Sequence, residues 1–122
     1  MLHVAYVGVI FMRMNPWLIL LLAGLFEICF ATSLKLSAGF TRVIPTICFA
    51  ICAIASFGLL TLAIKQIPVG TAYAVWTGIG AFGTALVGIL FFRESADFWR
   101  IFFLLLLIGS LVGLKFVSPD HN

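Results

Sequence analysis

Four apolar stretches, each about as long as a helix needs to cross a bilayer, follow one another with only short charged breaks. They run from Pro16 to Leu36, Val43 to Ile64, Val69 to Phe92 and Phe98 to Val117. A helix rises about 1.5 Å per residue, so roughly 20 residues cover the hydrocarbon core. The breaks hold most of the charge: Lys35 to Arg42 around "SAGFT", "KQIP" at Lys65 to Pro68, and "RESAD" at Arg93 to Asp97. A backbone in lipid must satisfy its own hydrogen bonds, and no alternating strand pattern is present, so the spans are predicted to be helices. Connections this short make successive helices antiparallel neighbours. The fold class is therefore all-α, an integral membrane protein with one four-helix domain over residues 14–118.

Composition agrees, with 64% apolar and 9% charged residues and a mean hydropathy of +1.27. The net charge of +3 does not mark a nucleic-acid binder, because the basic residues sit singly at span ends, where their stems snorkel to the interface. Cys29, Cys48 and Cys52 all lie within spans, and an odd number of embedded thiols makes no disulfide framework. No His lies among them, so they are read as packing residues and no metal or cofactor is expected. An enzyme is disfavoured as well. His3 and His121 are near the termini, and no nucleophile with a base and no second deep acid is found.

Residues 1–13, "MLHVAYVGVIFMR", form an N-terminal extension too short to span, with Arg13 after the apolar run, the reverse of a signal peptide. Met14 opens "MNPWLILLLAG", with Pro16 at a natural helix start, and is a candidate translation start. Residues 119–122 are read as a tail.

The run "LLLAGLFEICFATSLK" contains a single acid, Glu27, about ten residues from either end of its span. Of the four acids only this one is deep; Glu94 and Asp97 lie in a loop and Asp120 in the tail. A charge at that depth costs roughly 2.5 to 3.5 kcal/mol on insertion scales, so its retention argues for a function. The structural alternative is a protonated Glu bonded to a neighbouring helix. Every Lys and Arg lies at a span end, so the partners of Glu27 are a proton or a cation from outside. Desolvation favours its neutral form and a nearby cation its charged form. Competition between the two ligands, combined with alternating access, gives proton-coupled antiport.

Helical spacing names the surroundings. Gly24 and Ala31 flank Glu27 at i−3 and i+4 and leave room, while Phe30 at i+3 adds an aromatic wall. Ser56, midway along the second span, is a hydroxyl able to orient the carboxylate or to bond back to its own helix. Tyr73 and Trp76, three apart, place two aromatics with polar handles on one face, suited to packing or to a cation. In "GTAYAVWTGIGAFGT", Gly78, Gly80 and Gly83 suggest close packing and a bend near Gly78 to Gly80. Gly109 and Gly113 form a GxxxG, read equally as ordinary packing or as a dimer contact.

Orientation is nearly unbiased. Arg13, Lys65 and Lys115 fall on one side, and Lys35, Arg42, Arg93 and Arg100 on the other, three against four. The positive-inside rule needs a clear asymmetry, so insertion both ways is expected, with two copies pairing antiparallel around their carboxylates. Gly80, Gly83 and Val87 extend the Tyr73 and Trp76 face and are candidates for close approach between chains.

"AGLFEI" around Glu27, "IPVGTAYAVWTGIG" from Ile67 to Gly80 and "GLK" at Gly113 to Lys115 resemble the small multidrug resistance family of bacterial inner-membrane transporters. The resemblance covers residue 14 to about residue 118. "NPWLILLLAG" and "YAVWTGIGAFGT" are similar to its guanidinium exporter subtype; the quaternary ammonium exporters more typically have Ser in place of Thr77. The resemblance implies an antiparallel homodimer exchanging guanidinium for protons, with Glu27 as the shared site and Ser56, Tyr73 and Trp76 completing the polar network. Planar guanidinium presents paired N–H donors that match a carboxylate in a fork. One departure stands out: the subtype usually has Trp at the position of Phe30, and Phe30 cannot donate a hydrogen bond. The alternatives are therefore a broader quaternary ammonium or lipophilic-cation exporter and a non-transporting membrane assembly protein.

Overall fold

A computed structural model describes residues 2–118, so the tail at 119–122 lies outside the described residues. The described residues form five helices: α1 (Leu2–Arg13), α2 (Pro16–Leu36), α3 (Val43–Ala63), α4 (Val69–Phe91) and α5 (Phe98–Val117). The last four are long and apolar enough to cross a membrane. The predicted spans agree except that α3 and α4 each stop one residue early, where Ile64 and Phe92 serve as C-caps. With its 12 residues α1 is shorter than a span.

Local chemistry sets the helix ends. Asn15 Oδ1 accepts from the Trp17 backbone N–H at 2.9 Å, and Pro16, which has no N–H to satisfy, occupies the first turn of α2. At the other end, the fully buried Ser37 donates to the Leu34 carbonyl at 2.7 Å and accepts from the Phe40 N–H at 3.1 Å. Those bonds hold a turn in which Ala38, Gly39 and Phe40 all take positive φ, 49°, 73° and 66°. Only glycine does so without steric cost, so the Ser37 bonds offset strain at the other two. Asp97 caps α5 by accepting from the Arg100 N–H at 2.9 Å. That bond, and the hydroxyl of Ser95, hold the Asp97 carboxyl below the usual carboxylate range. An ion pair of Arg100 with Glu94 at 2.7 Å spans the same loop; both side chains are part-exposed, so it adds about 1 kcal/mol at most.

Packing is centred on α2, which lies mainly against α3 and then α4, while α5 packs on α4. Ile19, Leu20 and Ala23 of α2 meet Leu59 and Ala63 of α3, Ile67, and Ala72, Val75 and Trp76 of α4. The core is small, and α5 buries no residue fully. In water such apolar exposure would drive association; in a bilayer the acyl chains cover it, and helices hold together by close fit. Gly24 illustrates that fit: a Cβ there would stand 2.6 Å from Ile79 Cγ2 of α4.

Candidate functional site

Glu27 stands eleven residues after Pro16 in the 21-residue α2, near mid-helix. Its side chain crosses to α4 and lies on Gly80, where a Cβ would overlap all three carboxyl atoms. Its Oε1 is buried and has no hydrogen-bond partner among the described residues. A carboxyl oxygen left in that state is costly unless something arrives to occupy it.

Ser56 is fully buried on α3 and is bonded across helices on both sides of its oxygen. It donates to the Ala23 carbonyl of α2 at 2.7 Å and accepts from Trp76 Nε1 of α4 at 2.9 Å. Of the two sequence readings, neither is what the hydroxyl does: it bonds neither its own helix nor the carboxylate. It ties α2, one turn before Glu27, to the indole of Trp76. Ser56→Ala therefore leaves a buried indole N–H unpaired. In membrane proteins such interhelical bonds average about 0.6 kcal/mol, and an orphaned polar group costs about 1 to 3 kcal/mol. We expect loss of thermal stability of that order, together with a shifted Trp76 environment; unchanged melting in detergent would contradict it.

The aromatic residues form a continuous row. Phe30 stacks on Phe57 with ring centroids 6.1 Å apart and an interplanar angle of 18°. Phe57 meets Trp76 at 5.3 Å, and Trp76 meets Tyr73 at 5.7 Å. Beyond Phe30 the row continues through Phe49, edge-on to it at 5.9 Å, to Phe40 at 5.4 Å. Trp76 is 5% exposed and Tyr73 is 58% exposed, so the row leads from the core to the open face of the bundle. Phe57, which links Phe30 to Trp76, escaped the sequence reading. Nothing in the spacing of α3 says which of its faces meets α2 and α4 together.

The glycines divide into two groups. Gly80 and Gly83 face α2 of the same chain, against Glu27 and Ile28, and so pack within one chain where a chain-to-chain contact was expected. Gly78 receives Leu111 of α5, with a Cβ position 2.6 Å from Leu111 Cδ1. α4 continues as helix through Gly78 and Gly80, where the missing side chains leave room for Leu111 and Glu27. Gly24, expected to make room beside the carboxylate, makes room for Ile79. Gly109 and Gly113, by contrast, have open space where a Cβ would stand.

No group of three or more His, Cys, Asp and Glu positioned to hold a metal occurs among the described residues. The candidate residues are thus a carboxyl lying on Gly80 and, joined to one another, a bridging hydroxyl and an aromatic row that carries the phenol and indole of Tyr73 and Trp76. Such a set can hold a proton or an organic cation, with the ring faces adding attraction where water is scarce.

Comparison with known proteins gives the family to which the chain belongs. The chain is 49% identical over 102 residues to a guanidinium exporter of Proteus vulgaris, covering 84% of this chain and 98% of the relative. It is 50% identical, with the same coverage, to a guanidinium exporter of Yersinia pseudotuberculosis. A guanidinium exporter of Citrobacter freundii is 48% identical over 99 residues, 81% of this chain and 94% of that one. Residues 15–107, which contain α2, α3, α4 and half of α5, match the family model for Small Multidrug Resistance protein. With four membrane-length helices, a carboxyl at mid-span and a match over most of its length, the chain is a multi-pass membrane protein of the small multidrug resistance family.

Proposed function

We propose that the protein exports guanidinium in exchange for protons across the bacterial inner membrane, working as an antiparallel homodimer. The observation that carries the reading is Glu27: a carboxyl in mid-helix whose buried Oε1 has no hydrogen-bond partner among the described residues. The names of the relatives supply the cation. Guanidinium offers two parallel N–H donors to the two carboxyl oxygens, a charge-assisted fork of about twice the strength of a neutral pair. A proton neutralises the same group. Because one carboxyl takes one or the other, loading a proton on one side of the membrane discharges the cation there, and reorientation carries the charge state across.

Support for the dimer comes from the open face. Tyr73 and Phe57 are more than half exposed, so one chain walls the site on one side only. A second, inverted copy would close it and bring a second Glu27 near the first, the two titrating as a coupled pair. A broader lipophilic-cation exporter is favoured by one feature: Phe30, stacked on Phe57, lines the row with ring faces and no donor.

The test is transport by the purified chain in sealed vesicles carrying an internal pH dye. Inward guanidinium is expected to drive protons out, so the interior turns alkaline, and a tetraalkyl ammonium ion should do so more slowly. Equal or faster movement of the tetraalkyl ion would select the broader exporter, and guanidinium entry without alkalinisation would end the antiport reading.

A further inference from the structure

We infer that the chain carries a built site for one anionic phospholipid, headgroup and acyl chain together, at the membrane face bordered by the end of α1, the start of α2 and the end of α5. The observation is two concavities that share lining residues. A polar cup of about 560 Å³ is lined by Arg13, Asn15, Gln66, Trp17 and Lys115. An apolar groove of about 500 Å³ lies between α2, α4 and α5, along Leu21, Ile79, Ile108 and Val112. Trp17 and Lys115 line both and form the threshold between them.

The cup has the chemistry of a phosphodiester site. Arg13 and Lys115 bring two positive charges, Asn15 and Gln66 bring amide groups, and no carboxylate lines it among the described residues. Lys115 Nζ sits over the Trp17 ring, 5.2 Å from its centroid, which holds the ammonium at the mouth of the groove. A Trp with a basic residue at the end of a span is the arrangement that anchors at headgroup depth.

The groove has the dimensions of one chain in one leaflet. From Lys115 to Ile108 is seven residues of helix, about 10 Å of depth at 1.5 Å per residue, within the roughly 15 Å hydrocarbon of a single leaflet. Its walls are apolar throughout beyond Lys115. A zwitterionic lipid would satisfy the groove and leave the cup with two unneutralised cations; a free anion would satisfy the cup and leave the groove empty. Only an anionic lipid meets both.

A second copy of the chain is the rival occupant, and helix geometry argues against it. At 100° per residue, Gly109 and Gly113 project roughly 90° and 130° from the centre of the groove face of Ile108, Val112 and Lys115, and only Phe116 at the groove's edge shares the glycines' side. A partner using the open glycine pair would therefore leave the groove to lipid. In an antiparallel dimer the two sites would lie in opposite leaflets.

The experiment uses the purified full chain equilibrated with equal amounts of phosphatidylglycerol and phosphatidylcholine bearing the same acyl chains, followed by native mass spectrometry of the retained lipid. A basic residue at a membrane surface is worth about a fivefold preference for anionic lipid. The wild type is thus expected to retain phosphatidylglycerol at least about fivefold over phosphatidylcholine. Arg13→Gln with Lys115→Gln should bring the ratio close to one, whereas Lys115→Arg should preserve it, which separates charge from a packing role of Lys115 on Trp17. Val112→Trp, filling the groove, should lower retention of both lipids. Four results would overturn the site: equal retention by the wild type; an unchanged ratio in the double variant; release of bound lipid by millimolar inorganic phosphate; and efficient copy-to-copy disulfide formation by Val112→Cys.

Discussion

Glu27→Gln is expected to abolish coupled transport while leaving the helices in place. The amide keeps the shape of the carboxyl but neither titrates nor presents a charged fork. Losing the charge-assisted pair costs about 3 kcal/mol, which corresponds to about a hundredfold weaker guanidinium binding. Proton movement driven by a guanidinium gradient should vanish altogether, because the group that alternates between proton and cation no longer does so. In the wild type, protons and guanidinium compete for one group, so cation affinity should fall about tenfold per pH unit once the pH drops below the titration of the unoccupied carboxyl. In the variant that slope should be flat. Isothermal calorimetry at several pH values, paired with vesicle flux, measures both. A pH-dependent guanidinium affinity persisting in Glu27→Gln would move the site to another residue and remove the basis of the proposed mechanism.

The second large effect is expected at a residue with no functional group. A Cβ on Gly80 would occupy the place of the Glu27 carboxyl, and the obstacle it meets is the far end of a flexible side chain. The chain can therefore accept Gly80→Ala with little loss of stability by turning Glu27 aside. Holding a side chain away from its preferred rotamer costs about 0.5 to 1.5 kcal/mol, so guanidinium binding should weaken up to about tenfold while helix content and melting change little. Gly83→Ala is the control. It lies on the same face three residues on but meets the tip of Ile28, so it should affect packing without touching the carboxyl. If both variants shift the pH dependence of binding equally, the contact between Gly80 and Glu27 does not set the carboxyl's position.

The two substitutions also mark how far the amino-acid order reaches. Glu27 is legible because one acid in a long apolar run is anomalous in any arrangement of helices. The spans are legible for the same reason: hydrocarbon leaves the backbone no partner but itself, so length and apolarity decide each helix almost residue by residue. Gly80 is different. The glycine run announces close approach, but the approach was expected between chains, and it occurs within one, against the carboxyl itself. Ser56 reads equally as orienting the carboxylate or bonding back to its own helix, and it instead joins Ala23 to Trp76. Phe57 gave no signal, although it links Phe30 to Trp76.

What the residue order determined by itself was the set of four membrane helices, their ends to within one residue, and the depth of the single acid. These follow from the solvent, which acts on each segment independently. Which faces meet was decided only by tertiary structure. Most of the surface of these helices is apolar, so lipid and neighbouring helix are nearly equivalent partners, and the choice falls to steric fit at Gly24, Gly78 and Gly80 and to hydroxyl bridges such as that of Ser56. Fit between surfaces depends on residues far apart in the chain, and no local pattern records it.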